Sequence, residues 1–103
     1  MRMLVTFSWD IEKANDLVRK GTLGKTVGDI LKDTKPECAY FTEVDGARGV
    51  VMVVNIEGMH ELPKIAEPWF LAFNAKMTAK PAMIADDLSK AEPAITATAK
   101  RYA

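Results

Sequence analysis

The sequence predicts an α+β fold built on a four-stranded antiparallel sheet, and three observations support this prediction. Apolar and polar residues alternate over residues 3–9, which is typical of a strand with one buried face. Residues 50–56 are apolar on both faces, as in a strand at the centre of a covered sheet. Helical apolar stripes separate these two strands from β-rich segments at residues 38–44 and 78–85.

The region after the first strand predicts a broken first helix. Asp10 is placed to cap a helix whose apolar positions recur at helical spacing over residues 11–18. Thr22 is a candidate cap for a second helical stretch, which ends at Lys35-Pro36. We expect a break or a bend between the two stretches, because glycine weakens a helix. The glycines of this region are Gly21, Gly24 and Gly28.

A hairpin is predicted between the second and third strands. The intervening segment, Asp45-Gly46-Ala47-Arg48-Gly49, has the composition of a tight turn. A helix then follows over residues 58–73, where Pro63 suits the first turn and Pro68 predicts a kink or a restart.

The end of the chain predicts an edge strand and a short C-terminal helix. Pro81 confines the strand at residues 78–85 to an edge of the sheet, because proline has no N–H to donate to a second neighbour. Asp86 and Asp87 are candidate caps, and the short helix is expected over residues 93–102.

The order of these elements is that of a ferredoxin-like βαββαβ sandwich. In that topology the first and third strands are central, and the second and fourth are edges. The doubly apolar third strand and the proline-bearing fourth strand both agree with this placement. We therefore predict one ferredoxin-like domain over residues 1–103.

Composition excludes several classes of protein. Fourteen Lys and Arg balance 14 Asp and Glu, so the chain lacks the basic surplus of a nucleic-acid binder. The longest apolar run, residues 50–54, is far shorter than the ~20 residues of a membrane span. One Cys and one His exclude a zinc finger or a disulfide framework. With no leader-like N-terminus, we expect a cytoplasmic protein without nucleic-acid or membrane partners.

Three segments carry a resemblance to a known superfamily. They are Leu4-Val5-Thr6-Phe7-Ser8-Trp9-Asp10, Gly49-Val50-Val51-Met52-Val53-Val54 and the Pro68-Trp69 step. Over residues 2–85 the chain resembles the dimeric α+β barrel superfamily, and within it a family of short bacterial proteins of unknown function. The glycine-punctuated stretch from Gly21 to Gly28 departs from that pattern, so helix-based site positions transfer poorly.

The resemblance implies a homodimer whose sheets pack face to face, with a cleft in each protomer between sheet and helices. Relatives include cofactor-free monooxygenases, haem-degrading enzymes, muconolactone isomerases, stress-induced barrels and ligand-sensing domains, so the fold does not decide the function. The residues support the dimer as well. With helices on one side only, alternate residues of 50–54 would face water unless a partner covered them.

His60 is the first candidate for acid–base chemistry, because its side chain ordinarily titrates near neutral pH. The alternative is an exposed histidine at the start of a helix. Haem ligation by His60 follows from the superfamily analogy alone. A single histidine offers no transition-metal site of its own, and we predict no metal and no cofactor.

Trp9 and Asp10 form the most suggestive pair for binding a small organic molecule. An aromatic wall beside a carboxylate, at the end of the first strand, suits such a ligand. The alternative is a core tryptophan followed by a helix cap. Tyr40 and Trp69 are further candidates for shaping the pocket.

Polar residues on the central strands are additional candidates. Thr6, Ser8 and Asn55 would line a pocket if they share a face, although threonine and serine are also buried when bonded to backbone. Cys38 lacks a neighbouring base and is expected to be a structural thiol. Arg48 is either an anion contact or a solvated turn residue.

Two functions from different classes remain open at this point. The first is binding of a small apolar or aromatic compound, with monooxygenase- or isomerase-like chemistry left open. The second is a non-catalytic dimeric sensing or interaction module without an open pocket. A void with His60 or Asp10 pointing inward favours the first, whereas a cleft filled by Trp69, Phe70 and residues 21–31 favours the second.

Overall fold

A computed structural model describes all of residues 1–103 and contains four strands and four α-helices. A 3₁₀ turn at Met59–Glu61 leads into the third helix. In chain order the elements are β1 (Arg2–Ser8), α1 (Ile11–Arg19), α2 (Leu23–Thr34), β2 (Cys38–Val44), β3 (Ala47–Asn55), α3 (Leu62–Phe73), β4 (Lys76–Pro81) and α4 (Ala85–Tyr102).

The four strands form one antiparallel sheet in the order β2-β3-β1-β4. The prediction that β1 and β3 are central and β2 and β4 are edges is confirmed. This order is compatible with a ferredoxin-like arrangement. In the register, Val5 lies opposite Met52 on β3 and Ala79 on β4.

The hydrophobic core lies between one face of the sheet and helices α1, α2 and α3. Alternate residues of the central strands contribute to it, as the period of two predicts. The largest fully buried side chains include Phe7, Met52, Trp69 and Phe73. The opposite face of the sheet, which we call the open face, has no helix over it. Val51 and Val53 are half-buried there, and Leu4 is exposed.

The broken first helix is confirmed. The Asp10 carboxylate accepts a hydrogen bond of 3.0 Å from the Lys13 N–H, as a cap should. The break is a single one, at Gly21, where φ is +72°. Thr22 is not a side-chain cap, because its hydroxyl donates to the Leu17 carbonyl oxygen instead. The later glycines, Gly24 and Gly28, lie inside α2 without interrupting it.

The hairpin between β2 and β3 turns more tightly than predicted. Only Asp45 and Gly46 lie outside the strands, with φ values of +51° and +80°. Two positive φ values in a two-residue loop match the right-handed twist of the flanking strands. Residues 47–49, expected in the turn, therefore belong to β3.

Pro68 does not restart the third helix, which is continuous from Leu62 to Phe73. The missing N–H removes one backbone hydrogen bond. The flanking side chains of Ile65, Ala66 and Trp69 are buried in the core and hold the helix on both sides of the proline.

The C-terminal part differs most from the prediction. Strand β4 begins and ends earlier than residues 78–85, although its edge position is confirmed. The short terminal helix is instead an 18-residue helix that passes through Pro93. The Asp87 carboxylate accepts a 3.0 Å hydrogen bond from the Ile84 N–H and caps its start.

None of the helices combines the length and the apolar character needed to cross a membrane.

Candidate functional site

The largest cavity is a groove of about 640 Å³ between the start of α2 and the β2–β3 hairpin. This volume lies within the ~300–1,000 Å³ of small-molecule sites. Its walls come from segments that are distant in sequence but meet at one end of the sheet. The lining residues are Trp9, Ile11, Leu23, Gly24, Val27, Phe41, Thr42, Glu43, Gly46, Ala47, Arg48 and Gly49.

Trp9 joins this groove to the aromatic core. Its indole stacks on Phe73, with ring centroids 4.3 Å apart, and on Trp69 at 5.6 Å. Phe41 meets it edge-on from β2 at 6.2 Å. The backbone N–H of Trp9 donates to the Arg48 carbonyl oxygen at 2.9 Å, which continues the β1–β3 pairing beyond the end of β1. Trp9 is therefore held rigidly on three sides.

The Nε1–H of Trp9 has no hydrogen-bond acceptor in the chain, and the same is true of Trp69. A buried donor without an acceptor costs about 1–3 kcal/mol. The stacked ring cluster compensates for that cost with the large apolar area that it removes from water.

Apolar side chains and bare backbone form most of the groove. Leu23 and Val27 lie one turn apart on α2 and share a wall. Gly24 lies between them, and a Cβ added there would meet no atom within 4 Å. The absent side chain thus leaves room that a larger residue would fill.

Two charged residues lie at the hairpin side of the groove. Arg48 donates from Nη1 to the Asn15 Oδ1 at 2.7 Å, which draws its side chain toward α1. Glu43 lies opposite Arg48 in the strand register and accepts a 3.1 Å hydrogen bond from the Gly46 N–H. Both side chains are exposed, so they can meet a charged group on a ligand at the rim.

Of the predicted site residues, Trp9 lines the groove, as does Arg48, for which the sequence left an anion contact open. Asp10 is exposed and serves as the cap of α1. His60 is exposed in the 3₁₀ turn before α3 and is not a lining residue. Trp69 is fully buried behind Trp9.

The other predicted residues lie on the open face, across the sheet from the groove. Thr6, Tyr40 and Asn55 alternate with core positions and so point away from the helices. Tyr40 is 69% exposed. Ser8 is buried and its hydroxyl donates to the Val44 carbonyl oxygen at 2.8 Å. The structure therefore separates this polar set from Trp9.

Two of these residues, Thr6 and Ser8, border a smaller hollow of about 170 Å³ on the open face. Thr6, Ser8 and Thr78 contribute to it from the two neighbouring strands. Cys38 also lies on this face, half-buried opposite Val53.

Most of the residues that line the groove could not be predicted from the sequence, because no local sequence pattern distinguishes them from ordinary core residues. Leu23, Val27 and Phe41 satisfy helix and strand patterns that are explained by packing alone. The useful signals were an interior helix glycine, Gly24, and a strand arginine next to a tight turn, Arg48. Both imply a surface that is not filled by side chains.

Comparisons with known proteins assign neither a family nor a function to the chain. No protein-family model matches the chain, and no curated protein matches it. One similar solved structure is the "De novo designed protein Ferredog-Diesel", at 13% sequence identity and a TM-score of 0.45. The alignment covers 79% of this chain and 85% of that one.

Proposed function

We propose that this protein binds a small apolar or aromatic compound in the groove between α2 and the β2–β3 hairpin. The observation that carries the proposal is the rigid indole of Trp9 at a groove of about 640 Å³ with mostly apolar walls. Each Å² of apolar ligand surface buried in the groove would contribute ~25 cal/mol to binding. A planar ring fits best, because the half-exposed ring of Phe41 forms part of the wall, edge-on to the indole of Trp9, which is 4% exposed.

The charged residues of the rim are the side chains of the groove that could exchange a proton with a bound compound. Arg48 and Glu43 are the only groove residues with titratable side chains. An acid–base step on a bound compound would therefore use Glu43, since His60 lies outside the groove. We propose binding as the function, and monooxygenase- or isomerase-like chemistry on the bound compound remains part of the same proposal.

The test uses the neutral aromatic dye N-phenyl-1-naphthylamine and two matched glycine variants. Gly24→Phe places a ring in the groove, whereas Gly28→Phe places the same ring one turn later on α2, where an added Cβ also meets open space. We expect the dye's Kd to rise at least about tenfold, or ~1.4 kcal/mol, in Gly24→Phe. In Gly28→Phe it should change by less than about twofold.

Absence of dye binding to the unmodified protein would contradict the proposal. Equal weakening by the two variants would also contradict it, because the dye would then be bound elsewhere. Either result would favour the alternative function, a non-catalytic dimeric sensing or interaction module.

We also propose that a second copy covers the open face to give a homodimer. Leu4, Val51 and Val53 form an apolar centre there that no part of the chain covers. Val51→Lys should reduce self-association through this face in sedimentation experiments, and Lys64→Glu on the exposed side of α3, in the opposite layer, should not. A monomeric unmodified protein, or equal effects of the two variants, would contradict this pairing.

A further inference from the structure

No helix or strand of the chain packs extensively against helix α4. None of its residues is buried, and it forms no substantial contact with another helix or strand. The molecule measures 60 Å in its longest direction but only 27 and 20 Å in the others. Helices in proteins gain most of their stability from packing an apolar face against another surface. The helix therefore needs a surface to pack against.

One side of α4 carries a regular seam. Its positions are spaced alternately by four and three residues, which is the a/d spacing of a coiled coil. The large members are exposed, with Leu88 at 52%, Ile95 at 54% and Tyr102 at 76%. Pro93 lies on the opposite side of the helix, where its ring does not obstruct the seam. The seam positions on α4 are Leu88, Ala91, Ile95, Thr98 and Tyr102, and Ile84, the extended residue before the helix, precedes them at the same spacing.

We infer that α4 pairs with α4 of a second copy of this chain, in antiparallel orientation about a two-fold axis. This arrangement places each a position beside a d position of the other helix. Ile95 then packs against Ala91 of the second copy, and Leu88 packs against Thr98. Large side chains thus meet small ones in the two central layers.

Charge selects the antiparallel orientation over the parallel one. Asp87 and Arg101 flank the seam on the same side, near opposite ends of the helix. Antiparallel pairing places Asp87 beside Arg101 of the second copy, twice by symmetry. Parallel pairing places Asp87 beside Glu92 of the second copy, which repels it. Opposed helix dipoles favour the same choice.

The ion pairing inside the chain leaves Arg101 available for this contact. The salt bridge within α4 joins Lys90 to Asp86 at 3.0 Å. Arg101 contacts the adjacent Tyr102 through its Nε and through the ring face, with no carboxylate beside it. The two Glu92 side chains of the dimer lie close together near the two-fold axis and repel each other. Glu92→Gln should therefore lower the Kd of the dimer.

This inference rests neither on the groove nor on the open face. The test is therefore made in a Val51→Lys background, which removes pairing through the open face. Sedimentation velocity over a concentration series should still show a monomer–dimer equilibrium. Ile95→Asp should raise its Kd at least about tenfold, and Thr96→Asp, the next residue but outside the seam, should change it less than about threefold.

Orientation is tested by a second matched pair. Arg101→Glu should weaken the dimer about threefold or more, while Lys100→Glu, with the same charge change on the outer side, should not. Asp87→Asn, which keeps an oxygen to accept from the Ile84 N–H but removes the charge, should weaken the dimer as well. Circular dichroism of each variant reports whether α4 remains helical.

Three results would overturn the inference. They are a monomer at all concentrations in the Val51→Lys background, equal effects of Ile95→Asp and Thr96→Asp, and equal effects of the two charge variants. Failure of the groove to bind the dye would leave these expectations unchanged.

Discussion

The indole of Trp9 and the phenyl ring of Phe73 stack with their centroids 4.3 Å apart and their planes 17° apart. The backbone strengthens this contact, because the N–H of Asp10 donates to the Phe73 carbonyl oxygen at 3.0 Å. The end of β1 is thereby joined to the end of α3. This junction holds Trp9 in the position from which it lines the groove.

Removing the Phe73 ring should lower the stability of the fold. Phe73→Ala removes a fully buried ring and leaves a cavity beside Trp9, so we expect a loss of about 3–5 kcal/mol in the free energy of unfolding. Leu71→Ala, on the exposed side of the same helix, should cost no more than about 0.5 kcal/mol. Urea denaturation measures both, and similar losses would contradict the packing described.

Arg48 should distinguish anionic from neutral aromatic ligands. Arg48→Met keeps most of the side-chain length but removes the charge at the rim of the groove. We expect the affinity for the anionic dye 8-anilinonaphthalene-1-sulfonate to fall about fivefold, or ~1 kcal/mol. Binding of neutral N-phenyl-1-naphthylamine should be nearly unchanged, as fluorescence titration will show.

The control for this prediction is Asn15→Ala. It removes the acceptor that the Arg48 guanidinium contacts but leaves the charge in place. Its preference between the two dyes should match that of the unmodified protein. If Asn15→Ala has the same effect as Arg48→Met, the position of the side chain matters rather than its charge.

Gly49 should not tolerate a side chain. A Cβ there would overlap the Phe7 carbonyl oxygen and the Val44 side chain, so β3 would have to move. We expect Gly49→Ala to lower the free energy of unfolding by about 1–3 kcal/mol. Gly28→Ala, in open space inside α2, should raise it by up to about 1 kcal/mol. Thermal unfolding of the two variants checks both signs, and a neutral Gly49→Ala would contradict the close approach.

Acid should weaken the contact between Asp16 and Lys20. The Lys20 ammonium, 3.0 Å from the carboxylate, lowers the pKa of Asp16 below its ordinary value of 3.8. A pKa lowered by folding stabilises the fold above the unfolded-state value and loses that contribution as pH falls through the folded-state value. The carboxyl carbon shift of Asp16 should therefore titrate at lower pH than in Lys20→Gln. Equal titration midpoints would contradict the pairing.

Much of the sheet follows from local chemistry. Residues 50–56 predicted a central strand because a nearly continuous apolar run is typical of the covered middle of a sheet. Pro81 predicted an edge because it lacks a donor, and Asp10 predicted a cap because its carboxylate reaches the free N–H groups of the next turn. Each of these signals depends on atoms within a few residues.

Other features depend on which distant surfaces meet. Whether Trp9 and Tyr40 share a site was decided by strand register, which places them on opposite faces of the sheet. The groove forms because α2 does not fill the space beside the hairpin. A local sequence pattern cannot predict such an empty space, since it depends on how distant segments pack. The sequence predicted the four strands, the hairpin between β2 and β3 and the break at Gly21 through local hydrogen-bonding groups and hydrophobic period, but not the ends of β3 and β4. Long-range packing alone placed a cavity between segments that are remote along the chain.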